Sequence, residues 1–256
     1  MTKAKNLDPW IWGLHSVVAC LECQPELIHE VYIEESKAQN APLKKLVKAL
    51  KEQWISVIEA KELPRAVRSH RNQGIAAKIS HFPFWHFHKD QSKIEKIFAS
   101  GGSYLLLDRV EDPRNYGAML RSAAAFGIKY VFVAQKNQAP LTGTVAQVSA
   151  GNLFRLNVVF CQSLKKVFHL GREQSASFWG LSSGGEPLNL KEALVELSDE
   201  KGAVVWCLGS EKAGMRGSLL ELCDRTIRLP MQNEVESLNV STAAAIAMFL
   251  SYSRKK

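Results

Sequence analysis

The chain has 256 residues, 46% of them hydrophobic, and a formal charge of +8 from 33 Lys/Arg against 25 Asp/Glu. That length carries one large domain or two ordinary ones around a real core, and the composition excludes wholesale disorder. No apolar run approaches the ~20 residues that span a bilayer, and the opening MTKAKNLDPWIWG shows no secretory leader, so a cytoplasmic protein is expected.

The first block runs from about Trp10 to Ile79. GLHSVVACLE reads as a helix with Leu14, Val17, Val18 and Leu21 on one face. Residues 28–33 alternate as a strand does, and 42–51 form an amphipathic helix opened by a proline. Residues 54–58 and 74–79 read as strands, which makes a small α/β unit over 1–80. Residues 81–102 are irregular, then briefly helical over 91–99, and end in Gly101-Gly102; they read as a linker. From 103 to 256 strand and helix alternate. Strands are expected at 104–107, 129–133, 155–160, 177–181, 203–208 and 226–229, and helices at 117–126, 162–172, 190–197, 216–222 and 238–252. AVVWCL is apolar throughout, as a parallel strand covered on both faces must be.

The positive charge favours a polyanionic partner, and its placement is informative. Between Arg65 and Gly102 there are seven Lys/Arg against Asp90 and Glu95, among His70, His81, His86, His88, Phe82, Phe84, Trp85 and Phe87. Such a stretch is suited to RNA, with cations on phosphates and rings on unpaired bases. It reads equally well as a linker whose aromatics dock on a domain.

The five cysteines, an odd number lying mostly in apolar stretches, fit reduced core thiols. Cys20 and Cys23 form a C-x-x-C late in a helix with no second pair for zinc, and the histidines lack supporting ligands, so no metal is expected. GSEKAG at 209–214 begins like a phosphate-binding loop, but Met215-Arg216 stands where Lys-Ser/Thr is required. What remains is a glycine-lined turn with one carboxylate, Glu211, able to approach a small ligand closely. In DPRNYGAMLRSAAAFG (112–127) a loop after a buried strand becomes a helix. Helical side chains lean toward the N-terminus, so Arg121 is expected to reach back over the turn holding Asn115, where the helix dipole favours anions. Ser237 and Asn239 open a small-residue helix, where capping is their ordinary role.

Together, DPRNYGAMLRSAAAFG, LGSEKAGMRG with CDRTIRLPM, and ESLNVSTAAAIA resemble in order and spacing the three motifs of SpoU-type (TrmH-like) RNA 2′-O-methyltransferases, over Leu105 to Tyr252. WGLHSVVACLE and HRNQGIAAKI look like the RNA-binding domain of the bacterial 23S rRNA guanosine-2′-O-methyltransferase subgroup, a looser match. The resemblance implies a SPOUT α/β domain with a parallel sheet and a deep C-terminal trefoil knot. It also implies a small N-terminal α/β RNA-binding domain, a homodimer, and S-adenosylmethionine as methyl donor. It places the catalytic roles on Asn115, Arg121, Glu211, Ser237 and Asn239, and cofactor contacts on Leu208, Gly209, Leu229, Met231 and Leu238, with 180–182 adding to that wall. Two positions depart from the family: Asn233 stands where glycine is usual, and Asn152 where alanine is common. The expected reaction is methylation of a ribose 2′-hydroxyl, with a guanosine of 23S rRNA as target and tRNA as the alternative. A non-catalytic RNA-binding protein and a base methyltransferase are the competing readings. A guanidinium stays protonated, so Arg121 is expected to bridge phosphate and emerging alkoxide rather than remove the proton.

Overall fold

The computed structural model describes residues 9–253. In chain order it begins with β1 (Trp10–Trp12), α1 (Leu14–Cys23), β2 (Ile28–Glu34), α2 (Ala41–Glu52), β3 (Ser56–Ala60), α3 (Arg65–Arg68) and β4 (Ile75–Ile79). Next come β5 (Trp85–His86), α4 (Gln91–Ala99), β6 (Gly102–Leu107), α5 (Pro113–Ala125), β7 (Tyr130–Ala134) and α6 (Gly143–Val148). The chain continues through β8 (Asn157–Cys161), α7 (Lys165–Glu173), β9 (Ser177–Pro187), α8 (Leu190–Asp199), β10 (Ala203–Leu208), α9 (Gly217–Leu220), β11 (Arg225–Arg228) and α10 (Val240–Ser253). Among the described residues no helix is long and apolar enough to cross a membrane.

Two units emerge among the described residues, one of 9–83 with 140–155 and one of 84–139 with 156–253. The first holds a mixed four-stranded sheet in the order β1-β4-β2-β3, with β2 and β3 parallel and the other pairs antiparallel. Segment 140–155, with α6, returns to this unit although it lies between β7 and β8 in sequence. Gly143 shows how closely it packs: a Cβ there would sit 2.0 Å from the Trp12 ring, so only glycine fits. Arg155 pairs with Glu22, and Gln24 donates to the Phe154 carbonyl at 3.2 Å. Nothing in the apolar pattern of 140–155 announces this return, which is why the sequence reading placed it with the second block.

The second unit is a seven-stranded, wholly parallel sheet in the order β11-β9-β10-β6-β7-β8-β5. Alternate residues of its strands face opposite ways. Tyr104, Leu106, Val205 and Cys207 share a core with Ile94 and Phe98 of α4 and Val167 and Phe168 of α7. On the sheet's other face α10 packs against β6, β10 and α5. Each fully buried large apolar side chain contributes about 1.5–3 kcal/mol, so central strands such as AVVWCL, buried at every position, drive the layering. Trp206 shows the polar cost being met, its indole N–H donating to Ser251 Oγ at 2.6 Å.

The stretch read as a linker is corrected in large part. β5 extends the parallel sheet beside β8, and Ile94 and Phe98 of α4 are fully buried, so residues 84–102 belong to the second unit. Its aromatics follow the docking reading for the most part, since Phe82 and Phe87 are buried, whereas Phe84 stays exposed. Trp85 carries the Lys93 ammonium over its ring, 5.4 Å from the centroid.

Candidate active site

The strand order reverses direction at the middle of the parallel sheet. β6 continues to β7 and β8 on one side, while β10, β9 and β11 fill the other. Open parallel sheets bind ligands at such a switch point, beyond the carboxyl ends of the strands. Here those ends are in register, Leu107 of β6 lying opposite Leu208 of β10. The loops that follow them therefore start side by side, one leading to Asn115 and the other to Glu211.

The first loop reaches α5 sooner than the sequence suggested. Asp112 caps the helix, its carboxylate accepting from the Arg114 backbone N–H at 2.7 Å, and Pro113 takes the first helical position. Asn115 thus stands in the first helical turn, not in a preceding loop. The helix N-terminus, where the sequence reading expected the dipole to attract a substrate anion, carries a carboxylate of the chain itself. Tyr116, Met119, Leu120 and Ala123 form the buried face of α5.

Asn115 is held from both sides. Its Nδ2 donates to Glu211 Oε1 at 2.6 Å, and its Oδ1 accepts from Asn239 Nδ2 at 3.0 Å. Asn239 Oδ1 in turn accepts from the Ser241 backbone N–H at 2.9 Å and from Ser241 Oγ at 2.6 Å. Asn239, rather than Ser237, therefore acts as the cap of α10, and the same side chain links that helix to the site. A single hydrogen-bonded chain joins the ends of β6, β10 and the segment before α10. The bond to the carboxylate is of the stronger, charge-assisted kind.

Arg121 does not join this chain. It lies six positions beyond Asn115 in the same helix, about 120° around the axis at 3.6 residues per turn. Its side chain is exposed and makes no hydrogen bond or ion pair among the described residues. No side-chain bond ties it to Asn115 among the described residues. Ser237 is exposed too, on the wall of the adjacent cleft.

That cleft has a volume of about 910 Å³. Leu208, Gly209, Leu229, Met231 and Leu238 all line it, with Leu181 and Ser182 from the middle of β9 and Glu211. Gly180 is not in the wall. Leu238 and Val235 expose 37% and 49% of their surface, an apolar face offered to a ligand rather than to the core. Gly209 lets this loop close on itself, because a Cβ there would lie 1.9 Å from the backbone of Gly214 and Met215. Asn233 adopts a left-handed φ of 55°, a conformation that glycine adopts freely and asparagine tolerates, so this departure from the family pattern keeps the backbone geometry. Asn152 donates from Nδ2 to the Ser149 carbonyl at 2.9 Å within the first unit, far in sequence from the site's loops.

Sequence reasoning missed Asp108 and Arg216. Asp108 follows β6, is completely buried, and forms a two-pronged ion pair with Arg216. The failed phosphate-loop match drew attention to Arg216 only as a residue of the wrong type. Its signal was an acid directly after an apolar strand.

A wholly parallel α/β unit with a cleft beside the carboxyl ends of β10 and β11 is an architecture common among ligand-using α/β enzymes, and the comparisons narrow it. Residues 102–249 match the SpoU rRNA Methylase family, and residues 10–85 match the RNA 2′-O ribose methyltransferase substrate binding domain. The chain belongs to the SpoU rRNA methylase family. It is 34% identical, over 94% of its length and 95% of the relative's, to the 23S rRNA (guanosine-2′-O-)-methyltransferase RlmB of Xylella fastidiosa. It is 31% identical, with the same coverage, to RlmB of Vibrio vulnificus. Among solved structures it resembles the SpoU methyltransferase AviRb from Streptomyces viridochromogenes in complex with AdoMet, with a TM-score of 0.73 and 20% identity over 96% of this chain and 90% of that one.

Proposed function

We propose that this protein transfers a methyl group from S-adenosylmethionine to the 2′-hydroxyl of a ribose in RNA, with a guanosine of 23S rRNA as target. The observation that carries the site assignment is the bonded set Glu211–Asn115–Asn239 beside a cleft walled by the residues named for the donor. These residues fit the donor: the Leu238 and Met231 side suits an adenine ring, and Gly209, without a side chain, lets backbone line the cleft beside it. When bound, S-adenosylmethionine supplies an electrophilic methyl group on a sulfonium.

The rest of the chemistry falls to the chain. A ribose hydroxyl is a weak nucleophile, so its proton must be shared or its developing charge met. Glu211 and Asn239 fix both ends of the Asn115 amide and leave its second N–H to orient the ribose. Arg121 keeps its donors open for the RNA phosphate and the emerging alkoxide, acting as a fixed positive charge. Ser237, on the cleft wall, helps fix the reacting geometry.

The finer family features extend this reading. The segment between β11 and α10, with left-handed backbone at Asn233 and Glu234, forms part of a deep C-terminal trefoil knot. The protein works as a cytoplasmic homodimer. An apolar surface supports the dimer: α10 exposes Phe249 and Ile246, and Phe249 stacks edge-on with Phe126 at 5.7 Å. Light scattering should give twice the chain mass for the wild type and a smaller species for Phe249→Glu.

The function is tested by incubating the protein with labelled S-adenosylmethionine and unmodified 23S rRNA, then digesting the RNA to nucleosides. Label in 2′-O-methylguanosine is the expected result. Label in a methylated base, or none with well-folded protein, defeats the proposal.

A further inference from the structure

The loops after β6 and β10 are joined at two depths. At the outer level Asn115, in the first turn of α5, meets Glu211, where solvent has access. Beneath, at the strand ends, the joining group is the wholly buried Asp108. Its Oδ1 accepts from Arg216 Nη2 at 2.8 Å and from Nε at 3.1 Å. Its Oδ2 accepts from the Arg216 backbone N–H at 3.0 Å and also lies 3.1 Å from Nε. The Asp108 N–H donates to the Leu208 carbonyl at 2.8 Å, and Arg109 Nε lies 3.5 Å from Oδ2. Asp108 thus grips both the last residue of β10 and the far end of the loop that starts there.

The gripped loop is compact. Ser210 and Gly214 exchange backbone hydrogen bonds at 3.1 and 2.9 Å, and Ser210 Oγ accepts from the Ala213 N–H at 3.2 Å. It carries Glu211 and much of one side of the cleft. Only the carboxylate of this pair is buried, the Arg216 side chain being 46% exposed, and the cost of desolvating Asp108 offsets much of the attraction, so the pair is weak as a source of stability. An apolar contact has no direction, however. A planar guanidinium forked onto a carboxylate, with the backbone N–H of the same residue, fixes the loop in both distance and angle.

We propose that Asp108 is a positioning residue for methyl transfer, acting through Arg216 to hold the 209–216 loop in the shape that receives the methyl donor and sets Glu211 against Asn115. This inference rests on the methyltransferase reading of the site.

Two variants test it. Asp108→Asn keeps the shape and removes the charge, and Arg216→Lys keeps the charge and loses the fork. Calorimetric Kd for S-adenosylmethionine, kcat on rRNA and thermal unfolding are measured for each. Both variants are expected to bind the donor at least tenfold more weakly and to lose kcat. In a Glu211→Gln background, Asp108→Asn should lower kcat by much less than it does alone. Variants that melt earlier but bind donor and turn over as the wild type does would make the pair merely structural. Independent, multiplying losses in the double variant would remove Glu211 from the route and overturn the proposal as stated. If Asp108→Asn does not fold, Arg216→Lys decides on the same measurements. A wild-type protein that takes up no donor and methylates no RNA overturns the underlying reading as well. An active wild type with indifferent variants overturns this inference alone.

Discussion

Asn115 and Arg121 stand on one helix, yet they are treated oppositely. Asn115 is bonded to Glu211 on one side and Asn239 on the other. The Arg121 side chain is exposed and has no hydrogen-bond or ion-pair partner among the described residues. The contrast separates two tasks. A group that sets geometry gains from being locked before the substrate arrives, since orientation then costs nothing at the moment of reaction. A cation meant for an RNA phosphate must keep its donors free, or binding would first have to break an internal pair.

The sharpest way to break this comparison is at Arg121. Arg121→Lys keeps the charge and loses the planar fork, and kcat/KM is expected to fall by about 10²–10³, as when a single stabilising donor is lost. Stability should stay within about 0.5 kcal/mol of wild type, as for an ordinary surface change. Methylation kinetics beside urea unfolding check both halves, and near-normal turnover would remove the bridging role.

Asn239→Ala should behave differently, because this side chain has two duties. Losing the cap of α10 is expected to cost about 1 kcal/mol, and losing the bond to Asn115 should lower kcat as well. Ser237→Ala, which removes no hydrogen bond among the described residues, should lower activity with little change in stability. Denaturant midpoints and single-turnover rates distinguish the two.

Asn233 offers a smaller effect. Asn233→Gly should be neutral within a few tenths of a kcal/mol, whereas Asn233→Ala, forced to a φ of 55°, should lose about 1 kcal/mol and weaken donor binding. Thermal unfolding with and without S-adenosylmethionine reads both.

The thiols give the mildest signal. Burial pushes Cys20 up from 9.0 to about 12, with Glu26 and Cys23 adding to the shift, and burial raises Cys161 and Cys207 in the same direction. A folded-state value above the unfolded one means that the folded protein holds the proton more tightly. The stability gained is complete below pH 9.0 and is lost as pH rises from there toward 12. The unfolding midpoint should therefore decline through that window, and less steeply in Cys20→Ala. At pH 8 the native protein should resist alkylation at these three positions.

Legibility differed between local and distant features. The buried strands were readable because six apolar residues in a row, as in AVVWCL, leave few alternatives in a chain that alternates with helices. The five cleft residues were reached through motif likeness, and all five line the same cleft. The start of α5 was misjudged because Asp112-Pro113, a cap followed by a first-turn proline, was read as loop. Because Asn115 belongs to the helix, its angle to Arg121 around the axis is fixed as well.

The sequence by itself determined the alternation of strands and helices, the apolar identity of the central sheet, and the three polar clusters that carry the chemistry. Only the tertiary structure decided which clusters touch. Asn115 and Glu211 are 96 residues apart, Asp108 and Arg216 are 108 apart, and Asn115 and Asn239 are 124 apart. Hydrophobic periodicity tells a segment which face to bury, but it is the pairing of β6 with β10, and the packing of α10 over both, that brings these residues within hydrogen-bonding distance. Segment 140–155 makes the same point in the first unit, where fit against Trp12 and Ala19 rather than any local pattern draws it in.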